Sequence, residues 1–316
     1  MSFLPEYAVL PEVLEANGEL CSGQLRSLYQ MCLRDGLVRN LHKGKWRQDL
    51  VQKMTALSPV AREVLEYLIK NGRLISCRNG LPSAPQSSKE WCREAIESHK
   101  QHRELRAIFA ERSTTVQFPE EPLVLATDDP FERGDFRPDE SAELRFHVDD
   151  YREYLGPLIK VAREICFIDP YINPNHAHYR HGFLEILKLA TDNPNRPPIE
   201  IHRMSEYEPR RGNQPARELC LEKDWEPIFT DWRRQLRNWK LKVDVHIWSK
   251  FGSRYFLTNH AGLSAGKGFK SDSTKKERHH WSSLKRQHRD SVRLDFNPLG
   301  NSPTYEHRCR LSIGAT

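Results

Sequence analysis

Apolar positions in the first hundred residues recur at steps of three and four, the period of a helix buried on one side. After Ser22, which can cap a helix, Leu25, Leu28 and Cys32 share a face, and Asp35-Gly36 supplies the stop. Trp46, Leu50, Met54 and Leu57 repeat the step. Ser58 and Pro59 then suit the cap and first turn of a helix whose stripe is Val60, Val64, Leu68 and Ile69. Asn71-Gly72 ends that helix, and 73–77 reads as a strand. A further helix is expected over 88–112, with Ser87 and Glu90 at the spacing of a capping box. Together these elements predict a mainly helical domain over 1–112. A helix, an Asn-Gly turn and a strand make the ending of a winged-helix module, and a small bundle with one extended segment fits the same pattern.

Between 113 and 144 the period fails. Four prolines and many acids without a sustained repeat predict a linker or an extended segment. From 145 to 316 helices and strands alternate. A helix over 148–163 carries Tyr151, Leu155, Leu158 and Ala162 on one face, and the apolar run "ICFIDPYI" is a short strand closed by Asp169-Pro170. A helix over 181–190, a strand over 199–203 and a long helix bearing Trp225, Phe229, Trp232, Leu236 and Trp239 follow, then the strand "LKVDVHIW". The stretch 249–269, "SKFGSRYFLTNHAGLSAGKGF", reads as two short strands joined by a turn and followed by a glycine-spaced loop. Strands separated by helices predict an α/β domain, a mixed sheet flanked by helices. The tryptophan stripe suits packing against that sheet better than base stacking, and Arg233, Arg234, Arg237 and Lys240 fall on the opposite face.

Charge sharpens the picture. The chain of 316 residues has a formal net charge of +6. Residues 231–293 hold sixteen Lys/Arg against five Asp/Glu, so the remainder is acidic. A basic segment on an acidic body is the footprint of a polyanion binder, and a solvated basic loop has the same composition. No apolar run is long enough to span a membrane and the first residues lack the pattern of a secretory signal, so a cytoplasmic protein without membrane contact is expected. Seven scattered cysteines without a CxxC pair argue for reduced thiols and against a zinc ribbon. His176, His178 and His181 sit beside a proline turn with nothing to fix their geometry, so they read as a solvated loop and no metal or other cofactor is assigned.

"ICFIDPYI" and "SRYFLTNHAGLSAGKGF", about eighty residues apart, together resemble one half of the phospholipase D superfamily over roughly 145–310. In that resemblance Arg254 matches the family's arginine, 255–259 its strand, Gly262 a glycine of its pair, and Gly266-Lys267-Gly268-Phe269 its terminal loop. The family's chemistry needs one histidine to attack phosphorus and a second to protonate the leaving oxygen, with two halves meeting across a twofold axis. Here Gly252-Ser253 stand where His-Asp should be. His246 and His260 are the nearby substitutes, and His246 with Lys250 makes HxxxK, two residues too long for the family's HxK spacing.

The resemblance therefore implies a phospholipase D-like domain without its catalytic histidine, left with anion-binding parts. No catalytic residue is assigned. Phosphate or nucleic-acid contacts are expected at Arg254, Asn259, His260 and Lys267, extended by Lys275, Lys276, Arg278, Lys285 and Arg286 of the basic tract. Nucleic acid is the expected partner. An ATPase or nuclease subunit of a bacterial, antiviral-type gene cluster and a homodimeric arrangement follow from the resemblance. A homodimeric phosphodiesterase using other residues, or a pure protein scaffold, are the alternatives.

Overall fold

The computed structural model describes residues 3–15, 19–77, 81–127, 139–207, 217–272, 277–300 and 304–315. The chain divides into two compact units, Ser2–Pro138 and Asp139–Thr316.

The first unit is built on a sheet. Strands β1 (Glu6–Val9), β2 (Leu37–Asn40), β3 (Leu74–Ser76), β4 (Leu105–Ala110) and β5 (Val124–Ala126) lie in the order β3-β2-β1-β4-β5, every pair parallel. Helices α1 (Pro11–Glu15), α2 (Glu19–Leu28), α3 (Lys45–Gln52), α4 (Pro59–Lys70), α5 (Ser88–Gln101) and α6 (Arg112–Thr115) make the crossovers that parallel strands require. The expected mainly helical, winged-helix-type domain is thus corrected to an α/β unit: the strand at 74–76 pairs parallel with β2, not in an antiparallel wing.

The reason for the error is physical. β1 and β2 are four residues each and buried throughout, so they show no alternation. β4 continues the apolar steps of α5 after a break at His102 that neither glycine nor proline announces. Two of the three expected caps form: Ser58 Oγ accepts from the Ala61 N–H at 3.2 Å, and Ser87 Oγ from the Glu90 N–H at 3.3 Å, whereas Ser22 lies inside α2, which begins at Glu19. Of the stretch 113–144, α6 and β5 belong to this unit and residues 139–144 to the second; 128–138 lie outside the described residues.

In the second unit β6 (Ser141–Arg145), α7 (Val148–Val161), β7 (Ile165–Ile168), α8 (Ala177–Arg180), α9 (Gly182–Lys188) and β8 (Ile199–Met204) come first. A small hairpin, β9 (Glu206–Tyr207) with β10 (Glu218–Leu219), precedes α10 (Glu222–Trp225) and α11 (Thr230–Asn238). Then come β11 (Val243–Trp248), β12 (Tyr255–Thr258), β13 (Gly262–Ala265), β14 (Arg278–Ser283), α12 (Arg286–Asp295) and β15 (His307–Ser312). Eight strands form one mixed sheet in the order β15-β11-β8-β7-β12-β13-β14-β6, with β7, β8 and β11 parallel and the outer pairings antiparallel.

The two faces of this sheet differ. Ile165 and Phe167, Ile199 and Ile201, and Val243, Val245 and Ile247 point one way, where Phe183 packs on Phe167 at 5.0 Å and Trp232 on Phe183 at 5.6 Å. The expected long helix is broken into α10 and α11, yet Trp225, Phe229, Trp232 and Leu236 are all buried, so the stripe is core. The opposite face carries Cys166, Glu200, His202, Asp244, His246 and Trp248, and only part of it is apolar. There Val292 and Phe296, from α12 and its end, cluster with Ile168, Trp248 and Leu257.

The basic tract after 269, whose composition also fits a solvated loop, is instead built into the fold. It supplies β14 and α12, and His279 and Trp281 are buried. Strand alternation explains this: Arg278 and His280 face water while His279 and Trp281 face inward.

Candidate nucleic-acid interface

Asp169 follows the last residue of β7, at the carboxyl ends of the parallel strands, and its side chain is fully buried. Its carboxylate accepts from the Tyr171 N–H (3.0 Å), the Phe269 N–H (3.0 Å) and the Tyr179 hydroxyl (3.1 Å). Burial raises its pKa above the usual carboxylate value, against the pull of these donors and of Arg254. Arg254, just before β12, places Nε 3.8 Å from Asp169 Oδ1 and its guanidinium 5.2 Å from the centre of the Tyr171 ring. It also donates, at long range, to the carbonyls of Gly252 (3.4 Å) and Gly266 (3.5 Å).

The glycine loop closes over this pair. Gly268 has φ +79°, and a Cβ there would lie 2.0 Å from Asp169 Oδ2 and 2.9 Å from Arg254 Cδ. Only glycine combines that backbone angle with so close an approach. The loop's glycines therefore seat a backbone N–H on a buried carboxylate, with Arg254 alongside. The sequence had presented Asp169 only as the end of a strand; in the structure it is the acceptor around which the edge is organised.

The remaining expected contacts fall in three places. Lys267 is exposed on the loop beside Arg254 and pairs with Glu277 at 2.7 Å. Asn259 and His260 lie in the turn at the other end of β12, away from Arg254. There Asn259 Oδ1 accepts from the Arg163 N–H at 2.8 Å, and the buried His260 lies 3.3 Å from the Val161 carbonyl. Arg278, Lys285 and Arg286 are exposed on β14 and α12, and Lys275 and Lys276 lie outside the described residues. α12 adds His288, Arg289 and Arg293. Its charge is partly answered by Asp290, 3.7 Å from Arg286 and 3.4 Å from Arg289, and by Glu164 against Arg293. His288 meets the Tyr255 ring at 5.9 Å, edge to face, so the helix reaches the residue next to Arg254.

Gly252 is exposed and its Cβ direction is open, so nothing nucleophilic occupies that position. His246, one of the two candidate substitutes for the missing histidine and otherwise a surface or capping residue, is buried on the polar face of the sheet. There it stacks on His202 at 4.9 Å, and its Nδ1 lies 3.3 Å from His307 Nε2. Burial, then the neighbouring His202, depresses its pKa to about 3.

Cys166, Glu200 and His202 bring one ligand atom each within 4.8 Å of one another, close enough to hold a metal ion. The hydrogen bonds speak against it. The Trp248 indole N–H can only donate, and it donates to His202 Nδ1 at 2.9 Å, which places the imidazole proton on Nε2, facing Glu200 at 3.3 Å. A ligating nitrogen would have to lose that proton while its partner still accepts one, whereas metal-bound histidines donate from the other nitrogen. His176, His178 and His181 are exposed, but the expected loop is partly helical: His178 lies in α8, with His176 and His181 at its two ends.

No family model and no curated protein matches the chain. Among solved structures, TrmBL2, an archaeal chromatin protein described with a novel mode of DNA binding, aligns at 13% identity over 88% of this chain and 92% of that one, with a TM-score of 0.25. A superposition that loose fixes neither fold nor function. Among the described residues, no helix is long and apolar enough to cross a membrane.

Proposed function

We propose that the unit over 139–316 is a phospholipase D-like half that binds nucleic acid through a basic surface and catalyses no phosphodiester chemistry. The observation that carries this reading is a concentration of exposed basic side chains: Arg278 and His280 on β14, Lys285 at the cap of α12, Arg286 and His288 on that helix, and Lys267 on the glycine loop beside the half-buried Arg254. Phosphate oxygens are met there by guanidinium and ammonium groups in solvent, which suits backbone contact without base recognition. The missing nucleophile at Gly252 supports the non-catalytic half of the proposal, as does the burial of His260 at the far end of β12. A partner subunit with ATPase or nuclease activity, and pairing of two such halves, belong to the same resemblance.

The test is salt dependence. With about four to six phosphate contacts, raising salt from 50 to 200 mM should weaken binding by roughly 10²–10³-fold. Replacing Lys275, Lys276, Arg278, Lys285 and Arg286 by Ala should flatten that slope. An unchanged slope in the fivefold variant, or no binding at 50 mM, would remove the proposal. Turnover of DNA, RNA or a chromogenic phosphodiester by the purified protein would remove its non-catalytic half.

A further inference from the structure

Two large aromatic side chains stand out in solvent at the carboxyl edge of the parallel strands. Tyr171, after β7, is 47% exposed, and Tyr207, after β8, is 65% exposed. Both positions are built from beneath. The Tyr171 N–H is fixed by Asp169, and its ring lies against the Arg254 guanidinium. Tyr207 sits on the β9–β10 hairpin, which is tied to the loop after β7 where Asn173 Nδ2 donates to Glu206 Oε2 at 3.0 Å. Glu206 also pairs with Arg203, which is buried with its guanidinium 3.9 Å from the centre of the Trp225 ring. The Met204 N–H donates to the Pro170 carbonyl at 3.3 Å, joining the two loops at their roots. The tyrosines are therefore displayed on adjoining loops whose roots are tied together.

We infer that this edge takes single-stranded nucleic acid, with Tyr171 and Tyr207 as stacking surfaces for unpaired bases and Arg254 and Lys267 alongside for the backbone. Every base has a π-face, so aromatic platforms beside cationic groups bind single strands with little regard to sequence. A duplex keeps its faces stacked internally and offers the tyrosines nothing. The inference rests on the polyanion reading above and adds to it a choice between strands. Cation–π contact with Arg254 holds the Tyr171 ring near the phosphate path.

The experiment compares a fluorescein-labelled oligothymidylate with a duplex of equal length, by anisotropy at 50 mM salt, on the full chain. Wild type is expected to prefer the single strand. Tyr171→Ala and Tyr207→Ala should each weaken it by about 5- to 150-fold, in line with measured stacking contributions, and leave duplex binding in place. Tyr171→Phe and Tyr207→Phe keep the ring and should keep the affinity, which separates stacking from a folding defect. Equal binding of both probes, or Ala variants that bind the single strand like wild type, overturns the inference while polyanion binding stands. Binding of neither probe overturns the reading beneath it as well.

Discussion

Both units end their parallel strands at an edge of the kind where ligands of open α/β sheets gather, and they furnish that edge with opposite charge. In the first unit the strand order reverses between β1 and β4. There Glu12 accepts from the Glu111 N–H at 2.9 Å and from Thr114 Oγ1 at 3.0 Å. The Glu111 carboxyl is raised, by burial first and by Glu12 second. The turn Leu10-Pro11-Glu12 has no glycine to let a phosphate approach. In the second unit the carboxylates are answered from within, Asp169 by three donors beneath the surface and Glu206 by Arg203 and Asn173, while Lys267 and Tyr171 stand exposed beside the half-buried Arg254. Topology supplies a crevice in each case. The charge placed there decides whether an anion is welcome.

Acid should separate the units most. His202, His246, His279 and His307 of the second unit are all depressed, each by burial first, with His246 at about 3 and His279 at about 4. The unfolded chain takes up protons near the ordinary histidine value of about 6.5 while the fold refuses them, so stability is full above that pH and falls as pH drops toward the folded values. Each such histidine can contribute up to about 1.4 kcal/mol per pH unit in that window. Asp169, raised in the fold, works with the opposite sign. Urea midpoints between pH 7 and 5 should fall steeply when followed by tryptophan fluorescence, to which the second unit contributes Trp225, Trp232, Trp239, Trp248 and Trp281. His246→Phe, which keeps a ring but removes the titration, should make that slope shallower. A slope identical to wild type would mean the histidine stack does not govern acid stability.

Next in size is a pair of glycines. Gly268→Ala is expected to cost about 3 kcal/mol or more, because strain at positive φ adds to a clash with a carboxylate that cannot move away. Gly44 of the first unit also has positive φ, but a Cβ there meets only Asn40 Nδ2, at 3.5 Å. Gly44→Ala should therefore cost only the backbone term, about 1–2 kcal/mol. Equal losses in chemical denaturation would show that the Asp169 seat contributes nothing beyond backbone conformation.

What could be read from sequence divides along the same line. In the second unit, strands that alternate with capped or amphipathic helices announce themselves: 165–168, 199–204 and 243–248 are where the pattern puts them. In the first unit the strand at 74–76 was legible after its Asn-Gly stop, but β1 and β2 are short and buried on both faces, and "LVRN" and "LRAIFA" carry no period that distinguishes them from helix or turn. The candidate site was legible where glycine spacing reflects backbone demand, at 266–268. It was not legible where burial is decided by tertiary packing: Asp169 as acceptor, Arg203 beneath Trp225, and Tyr207 on its hairpin have no local signature. Asn259 and His260 are near Arg254 in sequence but a strand length away, because β12 runs its full course between them.

The smallest expected effect compares two lysine–carboxylate pairs with the same 2.7 Å separation, Lys267–Glu277 in the second unit and Lys45–Asp49 in the first. Both are solvent-accessible, so Lys267→Ala and Lys45→Ala should each change stability by less than about 1 kcal/mol. Binding should distinguish them. Lys267 flanks Arg254 on the proposed interface, and its loss should remove about one phosphate contact, lowering the salt slope by about one. Glu277→Gln frees the same ammonium group and should raise affinity at low salt with a slightly steeper slope. Lys45→Ala should alter neither, since its charge lies in the unit whose strand edge is lined by carboxylates. Matching salt slopes for wild type, Lys267→Ala and Glu277→Gln would place the loop outside the interface and leave the basic surface to β14 and α12.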